Sequence, residues 1–368
     1  MSQVSTAPTT LDAPAAVPAG APGWEPDAWL RDFLGAERTA FWQRSRTPYS
    51  PTVHVERAAD GEPLAAVLTT RRPSTAAVKI VELHHTDAAA ARRAIEHVVA
   101  DSAERGDAAV KWELRGETAP PALAAELGFA PMRAPHPSAD GTVGVRGLVR
   151  WHRPVPHDEA PYYGQTTLYT CGAVAGLLAA TLAGASGFTG DAGDRDLEFA
   201  FWRRASNYPA CEPVGLAVAM RETVGEGRTV EVHLDTDEPV LLEEYTGFEH
   251  DFRAELQQES RRRAAALSVP VVTERIAIDE VVRRIAGGES ALLLIDEAPM
   301  HGETGPHWVL AHAVVPGEAV VLIQDPWITS ERGETWVDTH DLPVAASDLD
   351  RMIAWGPSAT RGVVFVGR

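Results

Sequence analysis

Apolar and polar positions alternate along this chain with two periods, and the order in which the periods appear divides it into two halves. Residues 25–44 place Trp29, Phe33 and Phe41 at helical spacing. Residues 53–57 and 63–70 follow as strands on either side of Asp60-Gly61, a hairpin signal, and residues 77–83 supply a third strand. Residues 87–105 read as a helix with Thr86 or Asp87 as its cap and Gly106 as its stop. A strand at 109–114, a short helix near 122–127 and the sequence Gly128-Phe129-Ala-Pro-Met close this half.

The second half opens with a small, apolar run beginning at Gly172 that has helical spacing. Helices are then expected at 194–206, 213–223 and 243–267, a strand at 229–234, a helix at 278–286 and a strand at 291–295. Trp308-Val-Leu-Ala-His-Ala-Val-Val and Ala319-Val-Val-Leu-Ile-Gln are two apolar strands joined through Pro316-Gly317, which makes them a hairpin.

That hairpin changes the chemical picture. It brings His307, at the start of one strand, beside Asp325, at the end of the other. Upstream, Gln165-Thr-Thr-Leu-Tyr-Thr-Cys171-Gly172 puts a thiol at the N-terminus of the apolar helix, where unpaired N–H groups and the helix dipole favour a thiolate and an oxyanion. A thiol that attacks a carbonyl needs a base, a group to orient the base and donors for the oxyanion. Cys171, His307, Asp325 and the side-chain amide of Gln165 are one candidate for each role.

The succession Gln165, Cys171-Gly172, His307-Trp-Val and Asp325-Pro resembles the C39-like peptidases, a branch of the papain-like superfamily, over roughly residues 155–368. The resemblance implies a Cys-His-Asp triad of Cys171, His307 and Asp325, with Gln165 completing the oxyanion hole. Bacteriocin-exporting relatives carry this domain on a membrane transporter. This chain shows no such segment, so cleavage of a leader during export is not implied. Residues 24–150, with the ending Leu-Ala-Ala-Glu-Leu-Gly-Phe-Ala-Pro-Met, resemble the GNAT acyltransferase fold. Active members cradle a pyrophosphate with glycines at the N-terminus of the central helix. Here that stretch is His84-His85-Thr86-Asp87-Ala-Ala-Ala-Ala, without glycine and with an acid in the phosphate position.

The expected architecture is therefore α+β: a disordered tail over 1–23, a degenerate GNAT-like α/β domain over 24–150 serving docking or gating, and a papain-like, C39-like cysteine peptidase domain over 151–368. The activity implied is that of a cysteine peptidase or amidohydrolase on a peptide-like substrate, working through an acyl-enzyme. An amide-forming acyltransferase with the same triad and an inactive binding protein are the alternatives. No cofactor is expected. His84-His85 lacks a carboxylate or cysteine at ligand spacing, so no metal is expected either.

Composition narrows the partners. The net charge is -19; residues 1–150 hold 16 basic and 18 acidic side chains, and 151–368 hold 17 and 34. An acidic second half disfavours nucleic acid and anionic membranes and suits a cationic peptide or amide, although solubility alone accounts for it equally well. No apolar run is long enough for a membrane helix, and the Ala/Pro-rich start has neither a basic region nor a hydrophobic core of a signal peptide, so a cytoplasmic location is expected. Two cysteines fit a reducing compartment. Of the remaining candidates, His301 is expected in a solvated loop, His312 packed in the core or at its rim and Cys211 as a structural thiol. Tyr162, Tyr163, Trp308 and Trp327 are either pocket-lining or packed. The sequence leaves the oligomeric state open.

Overall fold

The computed structural model of the chain describes residues 15–18, 24–116, 122–205 and 207–368. The tail expected over 1–23 lies outside the described residues apart from strand β1 (Ala15–Pro18), which pairs with β2 at the edge of the first sheet.

That sheet has seven strands in the order β1-β2-β3-β4-β5-β7-β6: β2 (Thr52–Arg57), β3 (Pro63–Thr70), β4 (Ala77–His85), β5 (Ala109–Arg115), β6 (Ala130–Pro131) and β7 (Val145–Trp151). Helix α1 (Ala28–Trp42) precedes β2, α2 (Ala88–Glu104) links β4 to β5, and α3 (Ala122–Glu126) precedes β6. The two-residue period of β3 explains how the layers pack, since successive side chains face opposite sides. Ala65 and Val67 pack with Ala90, Ala94, Ile95 and Val98 of α2, while Ala66 and Leu68 pack with Leu30, Leu34 and Trp42 of α1. A crossover helix permits β4 and β5 to run parallel, and they pair only over Ala77–Ile80 against Ala109–Trp112. Strand β7 has no clear hydrophobic alternation and was not anticipated; it pairs along the whole of β5.

The second half builds another seven-stranded sheet, ordered β13-β12-β11-β10-β14-β8-β9. Its strands are β8 (Val230–Leu234), β9 (Val271–Val272), β10 (Ser290–Asp296), β11 (Pro306–Val314), β12 (Val320–Gln324), β13 (Leu342–Ala345) and β14 (Gly362–Val366). Helices α4 (Cys171–Leu182), α5 (Asp194–Ala205), α6 (Pro213–Val224) and α7 (Phe248–Ala266) belong to one side; α8 (Ile278–Ala286) and α11 (Ala346–Met352) belong to the other; α9 (Ala298–His301) and α10 (Trp336–Thr339) are short. Alternation again sorts the faces. Leu292, Leu294, Trp308 and Leu310 meet α4 and α6, whereas Leu293, Val309 and Ala311 meet Val281, Ile285 and Leu349.

Helix α4 is apolar all round, and its residues from Cys171 to Ala180 are buried, the pattern of a helix inside a core. Burying a leucine such as Leu177 contributes about 1.5–3 kcal/mol. The helix approaches its neighbours too closely for larger residues: a Cβ on Gly172 would lie 2.9 Å from Cys211 Cβ and 3.1 Å from Trp308 Cδ1.

The two sheets are joined by buried polar contacts. Ala76 N donates to Pro343 O at 2.8 Å, and Lys111 Nζ donates to His340 O at 2.6 Å. Lys79 pairs with Glu113 at 2.8 Å and also with Asp338. Trp336 Nε1 donates to Val145 O at 3.1 Å.

Candidate active site

The α4 N-terminus carries Cys171, which is 4% exposed, and no side chain caps that end. The β11–β12 hairpin forms as expected, with Leu310 opposite Gln324. It places His307 Nε2 2.7 Å from Asp325 Oδ1, both residues being buried. With Nε2 committed to the carboxylate, the imidazole also has the Cys171 thiol near enough to act on its ionisation. The thiol and the carboxylate are thus both neighbours of one imidazole.

Their electrostatics follow from that order. Burial pulls the His307 imidazole down, but the Asp325 carboxylate and Cys171 more than offset it and hold the ring well above its usual range. Burial also raises Asp325, yet His307 and Arg72 keep its carboxyl well below the ordinary carboxylate value. Both shifts favour the charged pair, imidazolium with carboxylate.

Gln165 lies in the extended segment before α4, fixed by its own N–H bonding Pro326 O at 2.8 Å. Its Nε2 donates to Thr167 O at 2.7 Å, and Oε1 is buried without a partner among the described groups. One amide hydrogen is spent on Thr167, and an amide nitrogen carries two. A cavity of about 250 Å³ is lined by Gln165, His307, Trp327, Leu168 and the acidic Glu297 and Glu303.

The structure brings together Cys171, His307 and Asp325, and sets Gln165 on the wall of the cavity beside His307. The other aromatic candidates divide. Trp327 lines the cavity. Trp308 is core, its Nε1 donating to Cys211 O at 2.9 Å. Tyr162 is buried and donates to Asp325 O at 2.9 Å, and Tyr163 stacks on Phe188 at 3.8 Å between centroids. Cys211 and His312 are buried, as expected of structural residues. His301 departs from expectation. Instead of standing in a solvated loop it ends α9, is 5% exposed, and lies with Nδ1 3.1 Å from Tyr49 Oη and Nε2 3.5 Å from Asp325 Oδ2. The reason is tertiary: Tyr49, from the loop before β2, and Asp325, just past the end of β12, close over a stretch that is polar in sequence.

Three further residues escaped the sequence reading. Arg72, in the turn after β3, bonds Asp325 Oδ2 and places Nε and Nη2 2.9 and 2.7 Å from Glu334 Oε1. Tyr49 reaches His301, so both contacts come from the first sheet's half of the chain. Glu198 of α5 collects the loop before Cys171: it accepts from Thr166 N at 2.9 Å, Thr166 Oγ1 at 2.8 Å, Tyr163 Oη at 3.2 Å, and Thr170 Oγ1. Arg71-Arg72-Pro73 reads locally as a solvated turn, and nothing in the sequence pairs Arg72 with a residue some 250 positions away.

A larger cavity of about 780 Å³ opens where β4 and β5 part, walled by Trp112, Arg115, Glu82, His85 and Arg92 among others. The α2 N-terminus beside it is capped by the chain's own Asp87, which accepts from Ala90 N at 2.7 Å, so a carboxylate occupies the place a bound anion would take. Among the described residues no helix is long and apolar enough to cross a membrane.

Comparison with known proteins finds two likenesses. The model of the Peptidase_C39 like family matches residues 160–367. Among solved structures, an acetyltransferase of Bacillus subtilis in complex with CoA is 12% identical with a TM-score of 0.27, the match covering 36% of this chain and 96% of that one. The ribosomal-protein-S18-alanine N-acetyltransferase of Escherichia coli is 18% identical with a TM-score of 0.24, covering 33% and 80%. Nourseothricin acetyltransferase is 16% identical with a TM-score of 0.23, covering 28% of this chain and 66% of its own, just under two thirds. No curated protein matches the chain.

Proposed function

The chain belongs to the Peptidase_C39 like family, whose model spans more than half of it, and on that footing we propose that it is a cysteine peptidase or amidohydrolase using Cys171, His307 and Asp325. The observation that supports this reading is His307 Nε2 lying 2.7 Å from the buried Asp325 Oδ1, with the helix-terminal Cys171 near enough to raise the imidazole. The thiolate is the nucleophilic form of a cysteine, and a neighbouring imidazole is the base that would make it.

In the proposed reaction the Cys171 sulfur attacks the substrate carbonyl carbon and the carbonyl electron pair moves to oxygen. The N–H groups of the first turn of α4, with the Gln165 amide, stabilise that oxyanion. His307 then gives its proton to the leaving amine as the C–N bond breaks, leaving an acyl-thioester on Cys171. Water, deprotonated by His307, attacks the thioester and releases the acid and the thiolate. Asp325 keeps the imidazole oriented throughout and stabilises its charged form. Leu168, 80% exposed, and Trp327 offer apolar contact at the cavity; Glu303 there is already paired with Arg332 at 2.7 Å, so Glu297 is the carboxylate that suits a cationic side chain or amine on the substrate.

Intact-mass labelling with iodoacetamide at about pH 6 tests the dyad, since an ordinary thiol is less than about 1% thiolate there. Fast single labelling that vanishes in Cys171→Ser and slows in His307→Ala supports the reading. Slow labelling in all three rejects it. Peptide amides with basic side chains are the first substrates to screen.

A further inference from the structure

A second polar cluster lies away from the cysteine, between the segment that follows β7 and the turn that enters β13. His157 Nδ1 lies 2.9 Å from Val155 O, and its Nε2 lies 2.8 Å from Asp341 Oδ2. His340 Nδ1 lies 2.8 Å from Gln324 Oε1, and its Nε2 lies 2.8 Å from Glu159 Oε1 and 3.9 Å from Asp341 Oδ2. His312 Nε2 approaches Asp341 Oδ1 at 3.0 Å. One donor atom each from Glu159, His340 and Asp341 fit within 4.8 Å of one another.

Proton accounting singles this cluster out. A carbonyl oxygen only accepts, so Nδ1 of His157 carries a hydrogen. The Gln324 amide is fixed in orientation, because its Nε2 donates to Asp341 Oδ1 at 2.7 Å and its Oε1 faces Asp341 N at 3.3 Å. Nδ1 of His340 therefore carries a hydrogen too. In the neutral ring each Nε2 is then a bare lone pair, and both point at carboxylate oxygens. Lone pairs do not face lone pairs in a buried site unless something positive lies between them: an extra proton on each ring, or a cation. Imidazoles whose second nitrogen is tied to a carbonyl or amide oxygen are also the usual surroundings of a metal ligand. Asp341 is held at φ 46°, in the left-handed region, a local cost that the surrounding contacts sustain.

We propose that Glu159, His340 and Asp341 bind a divalent transition ion of the zinc class, with His157 bonding the Asp341 carboxylate beside it. One imidazole nitrogen and two carboxylate oxygens, with water in the remaining position, suit that class, whereas magnesium and calcium take oxygen alone. Two carboxylates carry two negative charges, which one divalent ion balances. The Glu159 side chain is 33% exposed, which leaves the ion a way in from solvent. The ion ties the segment 157–163 to the β13 turn. That segment carries Tyr162, whose ring packs 5.7 Å from His340 and whose hydroxyl donates to Asp325 O, and it leads directly to Gln165. The ion is thus a structural clamp behind the cysteine site, and takes no part in its chemistry.

The test uses the full chain carrying Cys171→Ser, so that thiol binding near His307 is removed. After treatment with a chelator and its removal, zinc chloride is titrated calorimetrically, and cobalt(II) is added separately to read the coordination from its visible spectrum. A single equivalent is expected, with a low-coordinate cobalt spectrum and affinity weakened at least about tenfold in Glu159→Gln and His340→Gln. Circular dichroism checks that both variants fold; if His340→Gln does not, the partly exposed Glu159 carries the comparison. Absence of zinc uptake, or uptake unchanged by Glu159→Gln, overturns the proposal and leaves a network of buried imidazolium and carboxylate groups.

Discussion

Arg72, in the turn after β3 of the first sheet, donates to Oδ2 of Asp325, the same carboxylate whose Oδ1 holds His307. Both side chains are buried, with exposures of 3% and 0%, and Glu334 shares the guanidinium. The cysteine site of the second half is therefore completed by a cation from the first. This is a physical reason for the two halves to stay together: without Arg72, Asp325 and Glu334 are two buried carboxylates without their shared cation.

Arg72→Met should accordingly cost about 3–5 kcal/mol of stability, the usual penalty for stripping one partner from a buried ion pair. Urea denaturation reads the loss. A variant within 1 kcal/mol of wild type would show that Asp325 finds another partner. Arg72→Lys is expected to recover little, because a single ammonium does not match the fork that spans Asp325 and Glu334.

Asp325→Asn should slow Cys171 alkylation at about pH 6 by at least about tenfold, because His307 then loses the carboxylate that orients it and stabilises its charged form. The Asp325 carboxylate holds the His307 imidazole above its ordinary value of 6.5 in the fold. Its pairing with Asp325 therefore stabilises the protein fully below that value, and the contribution is lost as pH rises through the folded value. Denaturation profiles of wild type should fall on the alkaline side for this reason, and the fall should shrink in Asp325→Asn. An unchanged alkaline limb would mean the pair does not titrate as described.

Cys211 should stay unlabelled under the same conditions. It is fully buried, and burial together with the neighbouring Cys171 pushes its thiol well above the ordinary value. Peptide mapping after alkylation should find modification at Cys171 alone, and double labelling of the native protein would contradict the packing behind α4.

Glu198→Ala should lower both stability and labelling without touching the triad. It leaves Thr166 N, Thr166 Oγ1, Tyr163 Oη and Thr170 Oγ1 without their shared acceptor. Unsatisfied buried donors cost about 1–3 kcal/mol each where water cannot reach them. Glu198→Gln, which keeps one acceptor oxygen, should lie between Ala and wild type in a thermal melt.

His54 gives the first sheet its own pH dependence. Burial, then His97, lowers its pKa from 6.5 to about 4. The group favours the fold fully above pH 6.5, and that contribution is lost as pH falls through the window toward 4, on the order of 2 kcal/mol. His54→Phe should flatten the decline in urea midpoint between pH 7 and pH 5, and an equal decline in both proteins would assign it to other groups.

How much of this was legible in sequence depends on how far apart the interacting residues stand. Periodicity was enough for α2, α4, α6, α8 and the β11–β12 hairpin, because each is specified by neighbours within one element or one turn. The same locality put His307 and Asp325 side by side. Strands β7, β13 and β14 were missed, since their burial comes from helices and strands far along the chain and leaves little alternation of their own.

The cysteine at a helix N-terminus and the His-Asp hairpin were determined by the sequence itself, through short-range turn and helix geometry. Tertiary structure alone decided that Arg72 clasps Asp325, that His301 is buried, that Glu198 gathers the loop before Cys171, and that three residues numbered 159, 340 and 341 share one cluster. Those contacts join polar groups whose local sequence looks solvated, and only the docking of the two sheets removes the water that would otherwise satisfy them.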